Sequence, residues 1–366
     1  MSYSSHGEIV SVGVKAHVLY SRLLSSDDYW NLLGSDTIAE LVGKLRASDY
    51  AGYLETLPAE PRRYDVESAI KTSLLKEAKG FLAHLSNPRD AFFRAWVAWY
   101  EAENLKSVFR RMAAGRTDRE ELRRRLYEVP GSKISYDNIL SARNFSEAAD
   151  AFRGTPYHRI LADPLKRLSN GEEKTLFPLE MAVDGYVELL LFKKIKKLDA
   201  AERKALLPLF GTWVDLLNLY SLYRAKVFYD LTPEETLNRL LPIRYRVPLS
   251  FFKGAVRMES FEEIVEALAG KFPVYKELFD DAFKEQERQL ALERNIKRRI
   301  YHQAERVFGS GSPGFHTAMS YFVIKEFEIN DIIRIIEDVR YGYDRRHAAY
   351  YLIRPITSGG ESEWQS

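Results

Sequence analysis

Apolar positions near the C-terminal end of the chain recur at three- and four-residue steps. Between Tyr321 and Gly342, the residues Ile329, Ile332, Ile333, Ile336 and Val339 fall on one side of a helix. Gly342 supplies its stop, because glycine takes the left-handed cap conformation without strain. Related stretches occur twice earlier. Asn104, Asn218 and Asn330 mark the three, separated by 114 and 112 residues. Trp99 and Trp213 precede the first two asparagines by five positions, and Arg110 and Arg224 follow them by six. The third stretch carries Lys325 and Ile336 at those places.

Two further markers keep the same order. Glu67, Glu180 and Glu293 are spaced by 113 and 113 residues. Three positions after each stand Ile70, Val183 and Ile296; seven after, Leu74, Val187 and Ile300; eleven after, Ala78, Leu191 and Ala304. These steps hold one apolar helix face in register three times. Earlier in each stretch, segments opening at Ile38, Phe145 and Phe261 run on to Tyr50, Tyr157 and Tyr275. The period exceeds that of a solenoid repeat, so each copy reads as a small domain. The expected architecture is all-α: three divergent helical repeats over residues 16–116, 117–231 and 232–354, with flexible termini at 1–15 and 355–366.

Turn and cap signals divide the repeats further. A short helix is expected after Ser25 or Ser26, and a loop at the Pro58–Pro61 pair. Long helices are expected near 65–85, 89–114, 178–198, 201–230, 275–308 and 313–341. Thr232-Pro233 starts another helix, and a last one over 344–353 stops before Pro355. No stretch alternates apolar and polar residues for long, so almost no sheet is expected.

Composition fits a helical protein with a core: 46% of residues are hydrophobic and 29% charged. The net charge of +2 arises from 54 basic and 52 acidic residues, interspersed as on solvated helix faces. Such a balance gives no overall field to recruit nucleic acid. There is no cysteine, which excludes disulfides and thiolate metal sites and fits a reducing cytoplasm. Residues 1–7 lack a basic segment followed by an apolar one, so no signal peptide is expected. The most apolar window, Leu206–Tyr223, contains Pro208, Gly211 and Asp215, and reads as a buried core helix rather than a membrane span.

Candidate chemistry is sparse. Gly309-Ser-Gly311-Ser-Pro-Gly314 matches the dinucleotide spacing, but a charged helix precedes it where a strand is needed, so it reads as a helix–helix link. The seven histidines are scattered without metal spacing. Asp280-Asp281 lacks a third carboxylate, since Lys284 stands where one is needed. No phosphate-binding Gly-x4-Gly-Lys-Ser/Thr occurs. No catalytic, cofactor or metal residues are therefore expected. The basic runs 123–125 and 193–197 read as helix ends or as a surface for an acidic partner. Arg340-Tyr-Gly-Tyr-Asp-Arg-Arg-His347 interleaves aromatics with cations, as protein interfaces do. The repeated Glu and Asn markers either pair inside each unit to fix helix register or line a concavity among the units.

The stretch Glu328-Ile-Asn330-Asp-Ile-Ile-Arg334-Ile-Ile-Glu-Asp-Val-Arg340-Tyr-Gly342 resembles the terminal signature of the central-stalk C subunits of A/V-type rotary ATPases, called d subunits in eukaryotes. Glu103-Asn104-Leu-Lys-Ser-Val-Phe-Arg110 looks like the early motif of that family, and Ser21-Arg-Leu-Leu24 with Tyr50 like its opening pattern. The resemblance spans roughly residues 16–354; it departs at Asp338-Val-Arg340, where the family often has Gly followed closely by a basic residue. It implies a pseudo-threefold funnel that is peripheral to the membrane and non-catalytic. It also implies partners: central rotor shaft subunits of the D/F type, and the cytoplasmic loops of the proteolipid c-ring, through which alone the chain would meet the membrane. Asn104, Arg110, Asn218, Arg224, Asn330 and Arg334, taken from the repeat pattern, would line the socket for the shaft. The alternatives are a helical adaptor with no rotary role and a metal-dependent helical enzyme; the latter would need clustered carboxylates that the sequence does not offer.

Overall fold

The structure, a computed structural model, describes residues 3–115, 118–228, 231–283 and 287–356. Nineteen α-helices and no strand occur among these residues. The chain forms two compact units. One comprises Leu75–Asp199 with Leu241–Ile243; the other comprises Met1–Leu74, Ala200–Leu240 and Arg244–Ser366.

In the smaller unit, the helices Arg89–Ala113 and Phe177–Ile195 lie along one another. Leu105, Phe109, Phe152, Leu161, Leu179 and Val183 form its core. In the larger unit, the Phe315–Tyr341 helix packs against both Arg288–Phe308 and the N-terminal helix Tyr3–Tyr20. The expected apolar face is buried at every marked position: Ile70, Leu74, Ala78, Val183, Val187, Leu191, Ile296, Ile300 and Ala304. The Phe315–Tyr341 helix differs from a one-sided helix. Its first half, from Phe315 to Lys325, is enclosed nearly all round, because helices pack on several sides of it. Ile333 and Val339, expected on the buried face, are half-buried.

Helix ends follow the cap chemistry. Ser25 accepts from the Asp28 backbone N–H while Asp28 accepts from that of Ser25. Thr232 and Glu235 form the same reciprocal box. Gly342 ends its helix at φ 66°. The link at Gly309–Gly314 joins two helices, with no strand before it.

Five expectations need correction or limits. Residues 3–15, expected within a flexible terminus, lie in the Tyr3–Tyr20 helix, which buries Val12 and Ala16. Gly13 there lets the helix approach Pro313 and Gly314 so closely that a Cβ would lie 2.3 Å from the Gly314 nitrogen. The single helix expected over 275–308 is two, Pro273–Phe283 and Arg288–Phe308. They lie side by side, with the Asn295 amide donating to the Leu278 carbonyl at 3.1 Å. The last helix is short, Arg345–Tyr350, because Leu352 and Ile353 turn into the core. The tail from 357 and the Asp280 side chain lie outside the described residues.

A hydrogen bond from a buried tyrosine to a carboxylate recurs three times. The Tyr157 hydroxyl donates to Glu101 at 2.8 Å, Tyr275 to Asp215 at 3.1 Å, and Tyr50 to Glu328 at 2.8 Å. The three carboxylates are spaced by 114 and 113 residues. Three positions beyond them stand Asn104, Asn218 and Asp331. By these contacts Asp331, not Asn330, corresponds to the two earlier asparagines. The Asn104 side-chain oxygen accepts from the backbone N–H of Tyr127, 23 residues on, at 2.8 Å. Asp331 accepts from the backbone N–H of Arg354, also 23 residues on, at 2.9 Å, and from that of Ile353 at 2.7 Å.

Burial pushes the Asp331 carboxyl from its usual 3.8 up to about 7, although the two N–H groups favour its charged form. The folded chain thus binds the proton more tightly than the unfolded one. Asp331 contributes most below the unfolded value near 3.8, and this contribution is lost as pH rises through about 7. Asp331→Asn and Asp331→Ala are both expected to flatten the slope between about pH 4 and 7 and so to cost least at its alkaline end, where the asparagine costs roughly 1 kcal/mol or less and the alanine about 2–3 kcal/mol. Urea unfolding across that range checks this; an asparagine variant as costly as the alanine one would contradict it.

Candidate partner interface

The six expected socket residues divide by exposure. Asn104 and Asn218 are buried, 1% and 0% exposed. The Asn104 amide is committed internally, donating to the Tyr127 carbonyl at 2.9 Å and the Tyr136 hydroxyl at 3.0 Å. Each is enclosed as it stands, and Asn104 holds the Tyr127 backbone in place. Arg110 and Arg224 are exposed, and Asn330 and Arg334 half-buried.

Neighbouring long helices meet through charged seams, and the exposed arginines stand on them. In the smaller unit, Arg110 donates through Nε to Glu180 at 2.6 Å. One turn away, Lys106 bridges Glu103 at 2.8 Å and Asp184 at 2.9 Å. In the larger unit, Tyr220 donates its hydroxyl to Glu293, and Arg224 lies 6.0 Å from the Tyr220 ring centre. Arg63 pairs with Glu337 at 2.5 Å and Glu67 at 3.3 Å. The glutamate markers therefore do not pair with the asparagine markers: Glu180 and Glu293 each meet a side chain of another long helix, and Glu67 shares Arg63 with Glu337.

With the third stretch shifted by one residue, Glu337 takes the place of Arg110 and Arg224. Its partner is then a cation, Arg63, so the ion pair survives with its signs exchanged. Matching by identical residues could not find this pair, because an acid fills the place of the arginine and its cation, Arg63, stands one turn before the Glu67 marker. Lys106 and Asp184 were also missed; their signal was the one-turn offset from Arg110 and Glu180.

Asn330 and Arg334 share a cleft of about 260 Å3 with Glu293, Lys297, Glu337 and Tyr351. Arg334 approaches Asp338 at 3.3 Å and lies 5.6 Å from the Tyr351 ring. Beyond it, Tyr341 and Tyr343 are 61% and 53% exposed, and Asp344 caps the last helix. This is the aromatic and cationic surface that the sequence pattern marked. The basic run at 123–125 is largely ion-paired, Arg123 with Asp137 and Arg125 with Glu121. The Ala200–Val227 helix is long and apolar enough to cross a bilayer, but 61% of its apolar window is buried inside the fold. Among the described residues, no group of three histidine or acidic side chains could hold a metal ion.

Together these features define an all-helical protein built on buried carboxylates and charged helix seams. The chain belongs to the ATP synthase (C/AC39) subunit family, whose model matches residues 13–349. It is 28% identical to the C subunit of the A-type ATP synthase of Methanosphaera stadtmanae over 296 residues, 76% of this chain and 73% of that one. It is 26% identical to the corresponding C subunit of the A-type ATP synthase of Methanothermobacter thermautotrophicus over 273 residues, 72% of this chain and 66% of that one.

Proposed function

We propose that this chain is a non-catalytic central-stalk component of an A/V-type rotary ATPase, coupling the rotor shaft to the proteolipid ring. The family match over nearly the whole chain carries this reading. The three helical repeats would supply the socket, and the chain would stay peripheral to the membrane, reaching it through the ring. A torque coupler must resist shear, and densely packed long helices do so. Buried cross-links between distant segments, such as Tyr50 to Glu328, add to that stiffness. Arg110, Arg224, Asn330 and Arg334 would meet the shaft, with Asn104 and Asn218 holding the helices that present them.

Tagged protein isolated from solubilised membranes of its own cells should bring down both shaft and ring subunits. The exposed double variant Arg110→Glu/Arg224→Glu should keep the ring and retain about tenfold less shaft, the scale of charged interface contacts. Equal shaft recovery by the variant would remove these arginines from the socket. Recovery of neither partner by the wild-type chain would favour a soluble adaptor instead.

A further inference from the structure

A second cavity of the larger unit has a different character from the mixed-charge cleft. It measures about 350 Å3 and opens to solvent between the helices Ala200–Val227 and Arg288–Phe308. Four cations line it: Lys204, Arg246, Arg299 and Arg306. Neutral donors Thr212, Gln303 and Ser310 stand among them, and no carboxylate does among the described residues. Elsewhere on this chain cations are commonly matched by acids, as along the helix seams. Four cations around one hollow with no acid in its lining are an exception to that pattern.

Arg299 sharpens the case. It is half-buried, and its Nε is enclosed without a hydrogen-bond partner. A buried donor left unmade is costly unless a ligand completes it. Burial lowers the Arg299 pKa, and the neighbouring charge of Arg306 lowers it further, against a smaller opposite pull from Glu277. An anion in the hollow would relieve both effects. Asp215, on the same helix as Lys204 and Thr212, is fully buried and already accepts from three backbone N–H groups and Tyr275.

We infer that this cavity is a binding site for a phosphate-bearing small anion, held by Arg299, Arg306, Arg246 and Lys204. Guanidinium forks match phosphate oxygens in pairs, and a lysine adds a mobile point charge. The volume and the charge suit a chain of two or three phosphates better than a single one. Ser310 comes from the glycine-rich link, so occupancy would also tie that link to the two flanking helices.

Calorimetric titration of the full-length protein with sodium pyrophosphate, at low salt, tests the site. One saturable site per chain is expected, weakening as salt rises. Arg299→Gln should weaken binding by at least about tenfold, the worth of a charged hydrogen bond. Arg306→Gln, at an exposed position, should do the same with unchanged thermal unfolding, so the test survives if the first variant folds poorly. A parallel titration with ATP distinguishes the source: tighter binding than pyrophosphate assigns the site to a nucleotide, equal binding to a bare phosphate chain. No saturable heat up to about 1 mM pyrophosphate, or wild-type affinity in both variants, would overturn the inference.

Discussion

Glu328→Ala should lower stability by about 3–5 kcal/mol, the cost of leaving a buried charge without its partner. Glu328 is 3% exposed and accepts from the Leu24 backbone N–H at 2.7 Å and the Tyr50 hydroxyl at 2.8 Å. Lys325, 2% exposed, donates to it at 3.3 Å and lies 4.1 Å from the Tyr50 ring centre. Removal of the carboxylate strands all three donors, one of them charged. The segments it joins are some 300 residues apart in sequence, so nothing local compensates. Replacing both members of the pair, as Glu328→Gln with Lys325→Met, should cost less than the sum of the single changes, because the stranded ammonium is then absent. Urea unfolding of Glu328→Ala, Glu328→Gln, Lys325→Met and the double variant decides it. A Glu328→Ala protein within about 1 kcal/mol of wild type would mean the network is not a structural tie.

Asp215→Ala is expected to be comparably damaging, at about 4 kcal/mol, from several unmade hydrogen bonds. Asp215 accepts from the backbone N–H groups of Tyr245, Arg246 and Val247 at 3.0, 2.7 and 3.1 Å, and from Tyr275 at 3.1 Å. A carboxylate suits three converging N–H donors; an amide offers one oxygen, so Asp215→Asn should lose an intermediate amount. The same loop is pressed onto its helix at Gly211, where a Cβ would lie 2.4 Å from Cγ of Tyr245. Gly211→Ala should therefore destabilise in the same direction by displacing that ring. Thermal unfolding of the three proteins ranks them, and an asparagine variant as stable as wild type would count against the role of the second oxygen.

Much of the helical framework was legible in the pattern of apolar steps. The face following Glu67, Glu180 and Glu293 is buried throughout, because burial of one helix side imposes the 3.6-residue period. Ser25, Thr232 and Gly342 act where their cap chemistry says they should. The buried network was harder to read. Glu101, Asp215 and Glu328 look like ordinary charged helix residues, and their partners Tyr157, Tyr275 and Tyr50 lie 56, 60 and 278 residues away. Matching Asn330 to Asn218 by identity misplaced the third stretch by one residue, since Asp331 supplies the same acceptor oxygen as an asparagine. The helix at Tyr3–Tyr20 was obscured by its small and polar residues, which suit close packing against Pro313 and Gly314 more than they suit a strong amphipathic stripe. Of the candidate interface, the exposed arginines were legible; the burial of Asn104 and Asn218 was not, because burial depends on neighbours that come from other segments.

The coupling role rests on one requirement, that this chain bridges shaft and ring. The direct measurement immobilises purified proteolipid ring and adds purified shaft subunits with and without this chain. Retention of shaft on the ring only when the chain is present, in equal amounts with it, is the predicted result. Equal retention of the shaft without the chain, or failure of the chain to bind the ring, would contradict it.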